Sequence, residues 1–463
     1  MLRRSFRRAY PVAVRGEGAY IWDADGHRYL DFSGSAAVNF IGHGVREIAD
    51  AMAEQARQLE FAHTSQFTTP IAEEFAQELL DFAGERFAGG AVYFTSGGSE
   101  SVETALKLAR QYQVEIGQKN RHQILSRHQS YHGSPLGALA VSGNKKRREI
   151  YLPMVREFEH VGIPYCYRCT YDCTDSCYHC GQQYAAELER AIQAAIQTTT
   201  SAAAPSSAMQ SNVAGFIFEP VSGATLGAVT PPPGYLQAIA DICQRHGVLL
   251  IADEVMTGMG RTGRNFACDH WGIAPDILVT AKGISSGYAP LGAVIASKKV
   301  VDAIAEGSGA FLHGFTYNAH PVSVAAGRAV LRRIRALNLV HAADSDAAKF
   351  ESTAGSQLRN ALESLRDLDA VGDVRGLGLL WGVELVAVKK TKTPFPAERN
   401  FAGLLGQACF RRGLLVYPMQ GCVDGVAGDH LLIAPPAVIS AEQIAWAVEQ
   451  MRAAILESAA QAC

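Results

Sequence analysis

No stretch of this 463-residue chain approaches the ~18 consecutive apolar residues that a spanning helix needs, and the basic N-terminus leads into no hydrophobic core with a cleavage site. A cytoplasmic protein without a membrane partner is therefore expected. Nor is there an excess of one charge: Lys and Arg number 42 against 45 Asp and Glu, a formal net charge of −3. That balance excludes bulk attraction to nucleic acid or an anionic bilayer and leaves only a small basic arm at Arg3, Arg4, Arg7 and Arg8. No internal repeat is found. With 48% hydrophobic and 19% charged residues, the composition is that of an ordinary globular protein, neither disordered nor fibrous. At roughly 100 to 200 residues per domain, the length corresponds to two to four domains, or one large core with appendages.

Cysteine is too sparse for a disulfide scaffold of this length: there are ten, and five of them lie together between Cys166 and Cys180. The rest of the chain is organised by hydrophobic period. Ala19 to Trp22 and Arg28 to Asp31 alternate around an Asp25-Gly26 turn signal and predict a hairpin. Helical patterns follow at about 45–59 and 70–83, the second opening on Pro70. From residue 91, apolar runs of strand length at 91–94, 213–218, 248–252 and 277–280 alternate with helical stretches at 99–115 and 234–246. Strands apolar on both faces predict a mostly parallel sheet covered by helices, an α/β fold. After Pro321 come a long helical region broken near 338, two strand-like runs at 371–385, a helix at about 399–412, strands near 414 and 431, and a last helix from 440. The expected domains are an N-terminal segment (1–60) packing with a small α+β domain (321–463), and a large domain (61–320). The large domain carries a Cys-rich insertion at about 163–181 and a low-complexity surface loop at about 198–212.

Asp253 ends one buried run and Lys282 follows the next, which puts both at the carboxyl ends of strands, where open α/β sheets bind ligands. A lysine there can form a Schiff base with an aldehyde. A carboxylate in the same crevice can keep a pyridine nitrogen protonated, the pairing that pyridoxal phosphate chemistry needs. Taken alone, the two are more economically read as a strand-end cap and a solvated lysine. Thr95-Ser-Gly-Gly-Ser-Glu100 adds a turn between strand and helix where backbone amides can cradle a phosphate, though such a turn is also a commonplace cap. Cradle, carboxylate and lysine in this order form a constellation that is improbable by accident.

With these motifs the sequence resembles the class III, or omega-type, aminotransferases of the fold-type I pyridoxal phosphate enzymes. The resemblance runs from Gly18-Ala-Tyr-Ile-Trp22 to Ala434-Pro-Pro436. Its markers are Ser96 to Glu100, Ser130-Tyr-His-Gly133, Glu219-Pro-Val-Ser-Gly-Ala224, Asp253 to Gly263, Thr280-Ala-Lys-Gly-Ile284 and His313 to Pro321. It implies pyridoxal 5'-phosphate held by Lys282, which also shuttles the substrate proton, with Asp253 on the pyridine nitrogen. Tyr131 would stack on one ring face opposite Val255, Gly98 and Ser99 would contact the phosphate, and His132 and Glu219 would join the cofactor-binding group by motif. Thr316 would reach the phosphate of the neighbouring subunit, so the resemblance also implies a homodimer with a shared site. As general bases, His132 and His43 are less economical than as hydrogen-bonded turn residues. Pocket residues are further expected among Ser33 to Phe40 and at Trp22.

The implied activity is ping-pong transamination, an amine or amino acid donor passing its amino group to an oxo acid or aldehyde. Aminomutases, epimerases and lyases share the scaffold and remain alternatives, as does a catalytically silent cofactor-binding homologue. The positions where relatives carry carboxylate-binding residues differ here: Ser134 and Ala224 replace an arginine and a glutamate, no arginine stands near Gly425, and Met256 takes a common glutamine position. No metal is needed for this chemistry. Even so, the Cys166/Cys169 and Cys177/Cys180 pairs are compatible with a structural metal, with disulfides or with free thiols.

Overall fold

A computed structural model describes residues 2, 4–7, 9–171, 177–197, 211–346 and 352–462. Arg3, Arg8, Cys173 and nearly all of the low-complexity segment lie outside the described residues, within which no helix is long and apolar enough to cross a membrane.

The predicted hairpin is present as β2 (Tyr20–Asp23) and β3 (Arg28–Asp31), turning through Gly26 at φ +85°. A third strand, β1 (Ala13–Glu17), pairs outside β2; nearly all of it is exposed, so no alternation marks it in the sequence. The central sheet consists of β4 (Ala91–Thr95), β5 (Gln123–Arg127), β6 (His160–Val161), β7 (Val213–Phe218), β8 (Leu249–Asp253), β9 (Ile277–Thr280) and β10 (Gly292–Ala296). Its order is β4-β10-β9-β8-β7-β5-β6, and β10 alone runs against its neighbours.

Alternate residues of β7 and β8 feed two separate cores, which is why both strands read as unbroken apolar runs. Ile217 and Ile251 pack with Val102, Ala105 and Leu108 of the helix Gly98–Glu115. Phe216, Phe218 and Leu250 pack with Leu188 and Ile192 of Cys177–Gln197 and Ile239 of Tyr235–His246. Each such side chain fully buried contributes roughly 1.5–3 kcal/mol.

The C-terminal part supplies a sheet of β11 (Val371–Leu377), β12 (Leu380–Leu385), β14 (Tyr417–Gln420) and β15 (Asp429–Ile433), while β13 (Leu414–Leu415) crosses to pair in parallel with β3. The helix from Pro321 stops at Ala336, and Asn338 takes a left-handed conformation at φ +49°, the break expected near 338.

Arg261 fastens distant segments. Its guanidinium is fully buried and donates to the carbonyls of Asn39 (2.9 Å), Ala434 (3.1 Å) and Pro435 (2.5 Å). Burial without an adjacent carboxylate pushes its pKa down to about 9, with Asp31 acting in the opposite sense from a distance. Arg261→Ala leaves three buried carbonyls without donors and opens a cavity. The expected loss is about 3 kcal/mol or more, read as a lower urea midpoint, with Arg261→Lys recovering only part of it.

Candidate functional site

Parallel strands β7, β8 and β9 end along one edge, so the residues after each emerge together: Glu219, Asp253 and Lys282 all line one cavity of about 320 Å³. Asp253 is buried, and each of its oxygens has a partner. Oδ1 accepts from the Val255 amide at 3.1 Å, and Oδ2 lies 2.7 Å from His132 Nδ1. His132 is itself buried, its amide bonded to Ser142 Oγ at 2.8 Å, and its Nε2 has no hydrogen-bond partner among the described residues. The ring therefore orients the Asp253 carboxylate; no geometry marks it as a base.

Lys282 follows β9 in a left-handed conformation, φ +49°, which turns its side chain back toward the strand ends. It is partly exposed to the cavity but ringed by protein, and desolvation pushes its pKa down to about 8. Asp253 and Glu219 oppose that shift, while the charges of Arg147 and Arg261 add to it. Glu219 is buried too, and its carboxyl is pushed above the usual range by burial and by Asp253. It accepts from the amides of Gly223 at 2.9 Å and Tyr131 at 3.4 Å, so it braces the turn that carries Tyr131.

Across the cavity, Gly97 and Gly98 open the helix Gly98–Glu115, whose first-turn amides have no intrahelical acceptors. A Cβ on Gly98 would stand 3.0 Å from Val255 Cγ1, whereas one on Gly97 would meet nothing within 4 Å. The turn is thus tight on the Val255 side and open on the other, as an anion cradle at a helix N-terminus must be. Cradle, carboxylate and lysine border one space that Tyr131 and Val255 also line, a donor set that fits pyridoxal phosphate.

Of the other expected residues, Val38 reaches the cavity from the Ser33 to Phe40 stretch, but Trp22 does not; the Arg15 guanidinium covers its ring at 3.9 Å. Val38 follows a left-handed turn, Gly34 to Ala37, with φ between +50° and +67°. That turn costs about 1–2 kcal/mol per non-glycine residue. Asp31 offsets part of this by accepting from the Ser35 amide at 2.9 Å and its hydroxyl at 2.8 Å. His43 stands apart from the cavity, with Nε2 3.0 Å from Asp31 Oδ2. Thr316 is exposed and does not line the cavity of its own chain. Ser285, Gly287, Pro290 and Leu291 also line the cavity, and no motif pointed to them.

Among the described residues, Cys166, Cys169, Cys177 and Cys180 form no group of three metal-capable side chains. Among the described residues the one group of three metal-capable side chains is Asp23, Asp25 and His27 in the hairpin turn. Cys180 is buried in the core beside the central sheet and Cys169 packs against the same core.

A lysine with its pKa near 8 reacts as an amine at a pH where surface lysines are still protonated. Labelling of the cofactor-free protein with an amine-selective reagent, followed by peptide mass spectrometry, should show Lys282 half-modified near pH 8. A Lys282 profile that tracks the surface lysines would contradict the desolvated site.

Residues 3–455 match the family described as Aminotransferase class-III. An uncharacterized aminotransferase of Bacillus subtilis, YodT, is 38% identical over 443 residues, covering 95% of this chain and 94% of the relative. The putrescine–pyruvate aminotransferase of Pseudomonas aeruginosa is 32% identical, over 97% of this chain and 91% of its own length. Among solved structures, an (S)-enantioselective omega-transaminase from Thermomicrobium roseum superposes with a TM-score of 0.85 at 37% identity, covering 98% of this chain and 93% of that one. Pyridoxal 5'-phosphate is the cofactor that this likeness implies, with an amine or amino acid and an oxo acid as the substrate classes. With a cavity that fits that cofactor and a family match over nearly its whole length, the chain is a pyridoxal phosphate-dependent transaminase and belongs to the class III aminotransferases.

Proposed function

We propose that this transaminase works through Lys282 as the proton carrier, in a cytoplasmic homodimer whose subunits complete each other's sites. The observation that carries this reading is a desolvated lysine and two buried carboxyl groups lining one cavity with the glycine turn at a helix N-terminus. Bound pyridoxal phosphate supplies an aldehyde that captures the donor's amine and a ring that accepts the electron pair released at the substrate α-carbon.

The chain's residues do the rest. The Gly97 to Ser99 turn would hold the phosphate, and Tyr131 and Val255 would hold the ring between them. Asp253, oriented by His132, would retain a proton on the ring nitrogen, which strengthens the ring as an electron acceptor. Lys282 would take the proton from the substrate α-carbon and return it on the cofactor side. Its pKa of about 8 favours both directions near neutral pH. Thr316, exposed and outside the cavity of its own chain, is available to reach the phosphate of a second subunit.

Mixing the holoenzyme with alanine or a primary amine, without acceptor, should replace the absorption of the cofactor's aldehyde form with that of its amine form, and pyruvate should reverse the change. Persistence of the aldehyde form while substrate is eliminated or epimerised would contradict transamination. Lys282→Ala should slow the half-reaction by at least about 100- to 10,000-fold while the cofactor still binds noncovalently, as tracked by stopped-flow absorbance.

A further inference from the structure

We propose that Arg147 binds the substrate carboxylate in this enzyme, standing in for the anchors missing at Ser134, Ala224 and Gly425. This rests on the transaminase reading above. Arg147 belongs to the short helix Lys145–Arg148, which carries four consecutive basic residues. In sequence such a run reads as a solvated face, but the structure separates the four cations. Lys146 Nζ lies 3.5 Å from Gln420 Oε1, and the Lys145 stem lies against Gly425, its charge adding to the Ala427 and Val426 amides that hold the Asp424 carboxyl down. Arg148 is half-buried, and its guanidinium pKa is lowered by desolvation. Of the four, Arg147 alone stacks on a cavity-lining residue, its guanidinium 4.2 Å from the ring centroid of Tyr131.

Two features make this a built arrangement. The base of the helix is fastened to the turn that carries Tyr131: the Gly143 and Asn144 amides donate to the Ser130 carbonyl at 3.1 and 3.2 Å. Asn144 Oδ1 in turn accepts from the Arg147 amide at 3.1 Å. A Cβ on Gly143 would come within 2.2 Å of the Arg127 carbonyl, so this segment is pressed against the end of β5. Second, the Arg147 guanidinium makes no ion pair or side-chain hydrogen bond among the described residues, so stacking on Tyr131 is its one attachment.

A cation–π contact keeps the guanidinium near the ring without using its N–H donors. Those donors remain available to a carboxylate, which the planar fork of arginine binds with two parallel hydrogen bonds. Arg147 does not itself line the cavity that Lys282 and Asp253 border; it lines a separate space of about 240 Å³ beside Asn144, Met419 and Gln420, behind the Tyr131 contact. It stands close enough to Lys282 for its charge to oppose protonation there, which places it within electrostatic reach of the reacting amine. The occupant is therefore the carboxylate that distinguishes an oxo acid or amino acid from a plain aldehyde or amine.

The test compares pyruvate with propanal as acceptors for one amine donor, in wild type, Arg147→Gln and Arg147→Lys holoenzymes. The ratio of kcat/KM for pyruvate over propanal should fall by about 10- to 100-fold in Arg147→Gln, the size expected for a lost charge-assisted contact. Arg147→Lys should lie between, since it keeps the charge and loses the fork. Inhibition by propionate, an unreactive carboxylate, should weaken by a similar factor in Arg147→Gln. A ratio and a propionate inhibition constant both within about twofold of wild type would overturn the assignment while leaving transamination standing. Failure of the wild-type enzyme to transfer an amino group to pyruvate, 2-oxoglutarate or propanal would overturn both.

Discussion

The site depends on keeping an ammonium-forming side chain out of water beside two carboxyl groups. Lys282 pays a desolvation penalty that lowers its pKa to about 8, and Asp253 and Glu219 limit the fall without cancelling it. The sheet makes this possible. Parallel strands β7, β8 and β9 deliver their C-terminal residues to one edge, and helices pack on both faces of the sheet behind them. The strained backbone at Lys282 and the left-handed turn before Val38 are local costs held in place by this packing and by Arg261.

His132 and Glu219 act on the site through what they orient, and Arg147 also meets one of the residues they position. His132 fixes the Asp253 carboxylate, Glu219 braces the Tyr131 turn, and Arg147 stacks on the Tyr131 ring. Tyr131 is thus held from its backbone by one group and from its face by another. This explains how a half-buried tyrosine can present a fixed ring to the cavity.

That Asp253 and Lys282 would meet at one cavity was legible in the sequence because they sit where hydrophobic period changes to loop. The run 248–252 ends just before Asp253 and the run 277–280 just before Lys282, so strand ends and motif coincide. The helix from Pro70 and the break near Asn338 were legible through proline placement and a lapse in periodicity. Strand β5 was hidden because Gln123 and Arg127 frame only three inner residues, and β1 because it is exposed and has no alternation. The turn Gly34 to Ala37 escaped notice because serine and alanine give no warning of a left-handed backbone. Arg147 was hidden in a basic run, since sequence does not show which of four cations meets an aromatic ring.

The central claim is that the free amine of Lys282 carries the proton. Its most direct test is chemical rescue of the alanine half-reaction in the Lys282→Ala holoenzyme by methylamine at several pH values. The account predicts a rate that rises in proportion to the concentration of unprotonated methylamine. A rate that ignores added amine, or near-wild-type turnover without it, would contradict the account.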